Sequence, residues 1–145
     1  MSNTALTDLQ SFIGKEFTAS PSPFMLWLKP IVLAAEEGKI TFQYTVRKEM
    51  TNPARTLHGG VTAAIIDDVI GATMFSFGEP YFYTSINLNV DFLAPAFEHD
   101  IIIAQTFITK KGKQIVNAQC EVWNHDRTKL IAKGYTNLFK TDFKK

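Results

Sequence analysis

From Gly59 to about Phe77 the chain reads GGVTAAIIDDVIGATMFSF, which is apolar around nearly the whole circumference of the helix it would form. A helix without a polar face is wrapped by other elements rather than laid on a surface. The rest of the chain must therefore supply the wrapping layer, and its pattern is that of strands. Ile40, Phe42, Tyr44 and Val46 alternate with polar positions, and two strand-like runs between Phe24 and Val46 flank Glu36-Glu37-Gly38-Lys39 as a hairpin. After Gly78-Glu79-Pro80, Phe82, Thr84, Ile86, Leu88, Val90 and Phe92 define one face of a strand. Tyr83, Ser85, Asn87, Asn89 and Asp91 define the other. Three further runs follow, around Ile101 to Thr109, Gln114 to Trp123 and Lys129 to Phe139, with turns at Lys111-Gly112 and Asn124-His125-Asp126. Two strands before one long helix and about four after it predict an α+β fold, an antiparallel sheet wrapped around the helix.

Thr4 to Ile13 spaces Leu6, Leu9, Phe12 and Ile13 as a short covering helix, and Ser20-Pro21-Ser22-Pro23 interrupts regular structure. With 145 residues, 46% of them hydrophobic, the chain can bury one core, so residues 1–145 are expected to form one domain with 1–20 as a covering helix and loop. A formal charge of +1 gives no broad field to gather nucleic acid or an acidic membrane, so an anionic partner must be held locally. Cys120 is the only cysteine, which leaves no intramolecular disulfide and makes the cytoplasm the expected compartment. The start MSNTALTDLQSF shows no basic segment before an apolar run, and no apolar stretch is long enough to span a bilayer, so neither export nor membrane insertion is expected.

Two features of the helix resist a purely structural explanation. Each glycine costs a helix about 1 kcal/mol against alanine, yet Gly59-Gly60 opens it. Unpaired N–H groups and partial positive charge at a helix start let a substrate oxygen approach the backbone, so the glycines read either as an oxyanion hole or as a tight turn. The second feature is Asp67-Asp68. Ala63, Ala64 and Gly71 surround Asp67 with small residues that leave room for another molecule, while Asp68 points about 100° further round, towards Ile65 and Ala72. Asp67 reads as a reactive carboxylate or as a structural one bonded to loop N–H groups, and Asp68 as structural. Gly59 and Asp67 are separated by ~12 Å of helical rise, too far to flank one carbonyl. Either one of them takes no part in chemistry, or the site is built from two chains and the protein is an obligate dimer.

The order Asn52, then His58-Gly59-Gly60, then Asp67, then Ser85 within TSINLNVDFLAPA resembles the PaaI-like branch of the hot-dog fold acyl-CoA thioesterases, from roughly Leu26 to Phe139. The resemblance implies a hot-dog fold and hydrolysis of an acyl-CoA to free acid and coenzyme A. It makes Gly59 the N–H donor to the thioester oxygen and Asp67 the base or nucleophile supplied by the other subunit. Asn52 would position the thioester or water, Ser85 would orient the attacking water, and His58 would shape the loop and orient Asn52. Relatives often carry glycine between the Asn and the His, where this chain has Pro53-Ala54-Arg55. Arg55 reads as a contact for a coenzyme phosphate or an acyl carboxylate, or as a solvated loop residue. Lys110, Lys111 and Lys113 read as edge lysines that deter strand pairing, or as phosphate contacts.

The resemblance also implies a homo-oligomer, a dimer or a dimer of dimers, and no cofactor beyond the coenzyme A of the substrate. Cys120, in phase with Val116, Ala118 and Val122, reads as a core thiol, and His99 and His125 have no second ligand at metal-binding spacing, so no metal is expected. Two other activities use the same fold. A hydratase or dehydratase needs an acid/base pair, usually Asp and His together on the helix, and no histidine follows His58 here. A non-catalytic acyl-CoA sensor needs only the pocket.

Overall fold

The computed structural model describes residues 2–144. Its elements are α1 (Thr4–Ser11), α2 (Pro23–Leu28), β1 (Ile31–Glu36), β2 (Lys39–Thr45), α3 (Gly59–Phe75), β3 (Tyr81–Phe92), β4 (Ile101–Lys111), β5 (Ile115–Asn124) and β6 (Leu130–Lys144). The strands form one antiparallel sheet in the order β1-β2-β4-β5-β6-β3, and it curls around α3. This is the hot-dog arrangement expected from the sequence.

The wrapped helix brings Ile65, Ile66, Val69 and Ile70 into the core with Phe42, Tyr44, Ala104 and Val122 from the strands. Two devices let helix and sheet meet closely. A β-carbon on Gly134 of β6 would lie 2.6 Å from Ile66 Cγ2, so only glycine fits where the sheet crosses the helix. Buried Thr73 donates to Val69 O at 2.8 Å and meets Thr106 Oγ1 at 2.7 Å, and Thr106 Oγ1 accepts from Ile40 N at 2.9 Å. That chain of bonds satisfies the core hydroxyls and ties α3 to β4 and β2.

Two elements differ from their sequence reading. Phe24 to Leu28, read as part of a strand, is α2: Ser22 Oγ accepts from Met25 N at 3.3 Å as the cap, and Pro23 takes the first helical position. The uninterrupted alternation read across Phe82 to Phe92 breaks at a bulge between Ser85 and Asn87. One extra residue exchanges the faces, so Tyr83 and Ser85 turn to the helix side ahead of the bulge, and Leu88 and Val90 pack inward after it. Ile86, which the unbroken alternation sets on one face with Leu88 and Val90, is 57% exposed. β3 also forms one edge of the sheet.

Candidate active site

The polar loop before α3 is organised by Asn52. Its Oδ1 accepts from Ala54 N at 3.0 Å and Thr56 N at 3.1 Å, and its Nδ2 donates to Thr56 Oγ1 at 2.8 Å. These are the local bonds by which an asparagine replaces a backbone turn. Asn52 is thus oriented by its own loop. The role implied for His58, to orient Asn52, is not what its ring does: Nδ1 accepts from Gly60 N at 2.8 Å and caps α3. Accepting at Nδ1 places the proton of the neutral ring on Nε2. The bond occupies the Gly60 N–H, so of the two glycines it is Gly59 whose N–H has no acceptor among the described residues. Gly59 borders an open cavity of about 390 Å³ that Thr56, Thr62 and Phe92 also line. In the loop, Arg55 has φ +65°, the left-handed conformation that glycine enters without steric cost, and its side chain is exposed.

The structure brings Asp67 and Ser85 together further along α3. The Ser85 hydroxyl donates to Asp67 Oδ1 at 2.9 Å, and both residues are exposed in the single chain. The bulge at Ile86 is what aims Ser85 at the helix. Asp67 lies at the rim of a larger cavity, about 680 Å³, enclosed by the segment from α1 to α2, α3 and the start of β3. Leu9, Phe17, Met25, Met74, Phe75 and Phe82 make its wall apolar. Of the aromatic residues near the helix end, Tyr83 also lines it, whereas Phe77 faces a separate surface hollow with Lys111.

Asp68 departs from the structural role read for it. Its Oδ2 is sealed from solvent yet has no hydrogen-bond partner, and burial, reinforced by the neighbouring Asp67 charge, pushes its carboxyl up to about 7. No sequence signal separated this environment from that of a bonded structural aspartate. Of the N-terminal residues in the cavity wall, Ser22 and Met25 belong to the start of α2, for which Ser22-Pro23 is a sequence signature.

Lys111 is remote from both groups. It lies beyond the C-terminal end of α3, with Nζ 4.0 Å from the centre of the Phe77 ring and 2.5 Å from Glu79 Oε1. Lys140 Nζ reaches the other Glu79 oxygen at 2.9 Å, and the Tyr83 hydroxyl donates to it at 2.8 Å. Burial raises the Glu79 carboxyl, but bonds from Lys111, Lys140 and Tyr83 outweigh that and hold it down at about 2. Any phosphate contact by Lys111 would compete with this ion pair. Cys120 is buried in the core, and burial pushes its thiol up, as fits a packed and unreactive side chain. Among the described residues, no three His, Cys, Asp or Glu side chains gather as metal ligands, and no helix is long and apolar enough to cross a membrane.

An unpaired N–H at the start of a wrapped helix and a carboxylate facing an apolar cavity are the parts that acyl transfer requires: a stabiliser for an oxyanion and an activator for water. Residues 54–131, more than half of the chain, match the thioesterase superfamily, and the chain belongs to that superfamily of thioester hydrolases. It is similar to human acyl-coenzyme A thioesterase 13, with 28% identity over 106 residues, covering 73% of this chain and 76% of the human one. Among solved structures, zebrafish thioesterase superfamily member 2 superposes with a TM-score of 0.76 at 26% identity, covering 95% of this chain and 96% of that one. Escherichia coli PaaI, from the phenylacetic acid degradation operon, shares the fold with a TM-score of 0.82 at 19% identity, over 99% of this chain and 97% of its own.

Proposed function

We propose that this protein hydrolyses acyl-CoA thioesters to free acid and coenzyme A, as a homodimer or dimer of dimers in which each site draws on two chains. The observation that carries the reading is the separation of the two chemical groups on α3. The free Gly59 N–H and the Asp67–Ser85 pair lie ~12 Å apart along one helix, so neither chain alone can hold a carbonyl between them. Edge strand β3 offers unpaired backbone groups to a second copy. A two-fold pairing there sets two α3 helices antiparallel, so that the Gly59 end of one approaches Asp67 of the other. The human relative's name supports coenzyme A as the carrier of the acyl group.

In that site the thioester oxygen receives the Gly59 N–H, aided by the helix dipole, and Asn52 of the same loop positions the thioester or water. Asp67 of the other chain takes a proton from water as the new C–O bond forms. The tetrahedral intermediate then collapses, the C–S bond breaks, and the coenzyme A thiolate takes up a proton. Direct attack by Asp67, through an anhydride that water opens, uses the same geometry, and oxygen-isotope incorporation into the enzyme in a single turnover separates the two routes. Ser85 positions Asp67 and retains lone pairs to accept from the water. His58 holds the Gly60 end of the loop, while Arg55 and, once released from Glu79, Lys111 are the cations for coenzyme phosphates. No cofactor enters beyond the substrate's own coenzyme A. The buried, unpaired Cys120 suits a reducing cytoplasm.

A panel of short, medium, long and aromatic acyl-CoAs, followed by thiol release, tests the activity. The reading predicts kcat/KM above about 10⁴ M⁻¹ s⁻¹ for the best acyl class. Tight acyl-CoA binding without turnover across the panel would instead mark a sensor.

A further inference from the structure

The cavity beside Asp67 holds a second carboxyl that hydrolysis leaves unused. Asp68 lines this cavity of about 680 Å³, whose wall is otherwise mostly apolar. Its Oδ2 is sealed and unpartnered, whereas Oδ1 is not sealed. The Tyr44 hydroxyl on β2 is also buried without a partner, close enough for the Asp68 charge to act on it. Unsatisfied buried polar groups are costly, and of the two only Asp68 lines the cavity, where its unsealed Oδ1 can meet a partner that arrives from outside.

Resting on the thioesterase reading of Asp67, we infer that Asp68 is a specificity residue of the acyl pocket, and that the preferred acyl groups bear a hydroxyl or oxo oxygen close to the thioester. The acyl carbon that undergoes attack sits at Asp67, and its tail has the adjoining cavity to enter. A plain alkyl tail would lie against the Asp68 carboxyl and leave it unpaired. An oxygen near the carbonyl gives it a hydrogen-bond partner, and Asp68 is the next residue along the helix, so the recognised oxygen belongs at the carbonyl end of the tail. A carboxyl pushed up to about 7 by burial and by the Asp67 charge holds its proton much of the time near neutrality, and so both donates and accepts.

The test compares octanoyl-CoA with β-hydroxyoctanoyl-CoA in the wild-type protein and in Asp68→Leu, an apolar residue of similar size. The readout is the ratio of the two kcat/KM values, so any effect of the substitution on Asp67 cancels. The wild-type ratio should favour the hydroxylated ester, and Asp68→Leu should shift it roughly tenfold towards octanoyl-CoA, the equivalent of one buried hydrogen bond, chiefly through KM. Asp68→Asn, which still donates and accepts, should keep the ratio within about threefold of wild type. Asp68→Ala, which cannot overpack the site, gives the same readout if the leucine variant fails to fold. An unchanged ratio in a folded leucine or alanine variant that still hydrolyses octanoyl-CoA overturns the inference and leaves the thioesterase reading standing. If the wild-type protein cleaves neither ester nor any other acyl-CoA, both fall together.

Discussion

The Ser85 hydroxyl donates to Asp67 Oδ1 across 2.9 Å, joining the bulged edge strand β3 to the middle of α3. The bond fixes one carboxylate oxygen and leaves the other to face a reactant. Ser85→Ala should therefore lower kcat about tenfold, by loosening the carboxylate, with KM little changed. Asp67→Asn keeps the shape but loses the basic oxygen, and should lower kcat roughly a hundredfold to ten-thousandfold while acyl-CoA binding persists. Steady-state kinetics beside calorimetric binding of a non-hydrolysable thioether analogue checks both. Loss of binding in Asp67→Asn would assign the residue to the substrate's ground state instead.

Asp68 makes a prediction with a definite sign. An aspartate ionises near 3.8 in the unfolded chain, and this one near 7 in the folded protein. Below about pH 4 the group is protonated in both states and contributes nothing to the difference. As pH rises from about 4 to 7 the unfolded chain releases the proton first, so the folded state loses stability, and above 7 the loss is constant. Its ceiling is on the order of 4 kcal/mol, lessened by solvent reaching the cavity. Asp68→Asn should match wild type near pH 4 and become progressively more stable than it towards pH 8, by roughly 1–3 kcal/mol in urea titrations. A difference between the two proteins that does not vary with pH contradicts this environment for Asp68.

The two glycines at the start of α3 should respond differently to alanine. At Gly59 a β-carbon would meet Phe92 Cε1 at 3.4 Å, ordinary contact, so Gly59→Ala should fold normally and lose activity where the methyl crowds the thioester oxygen. At Gly60 it would lie 3.0 Å from His58 Nδ1, the capping atom, so Gly60→Ala should disturb the cap and cost about 1 kcal/mol of stability. Thermal melting and turnover of the two variants, measured together, distinguish an activity defect from a capping defect.

The wrapped helix, the strand count and the sheet class were legible because each rests on a local period: α3 has no polar face, and β2, β4, β5 and β6 show alternation or turn signals. The faces of β3 were not, because a bulge is a two-strand property. The alternation Phe82 to Phe92 runs unbroken in sequence, and only pairing with β6 shows where one residue drops out of register. For the same reason the Ser85–Asp67 contact could be anticipated from family resemblance but not from residue spacing. α2 was missed for the opposite reason. Its Ser22-Pro23 signature was present, but apolar Phe24 to Leu28 also suits a strand, and so short a segment holds too few turns to show helical periodicity. The burial of Asp68 depends on β2 and the N-terminal segment closing over the helix, which residues 59–77 alone do not encode.

The shared site is tested most directly by mixing two inactive proteins. Asn52 and Gly59 belong to one half of each proposed site, Asp67 and Ser85 to the other chain's half. Asn52→Ala and Asp67→Ala should each be nearly inactive alone. Co-expressed with different affinity tags and isolated as heterodimers, they should form one site with both lesions and one with none. Activity per heterodimer should return to roughly half that of the wild-type dimer, because an intact site keeps all its positioned groups. If both residues serve a site within a single chain, every site keeps a lesion. Heterodimers confirmed by mass spectrometry that remain as inactive as their parents would contradict the two-chain site.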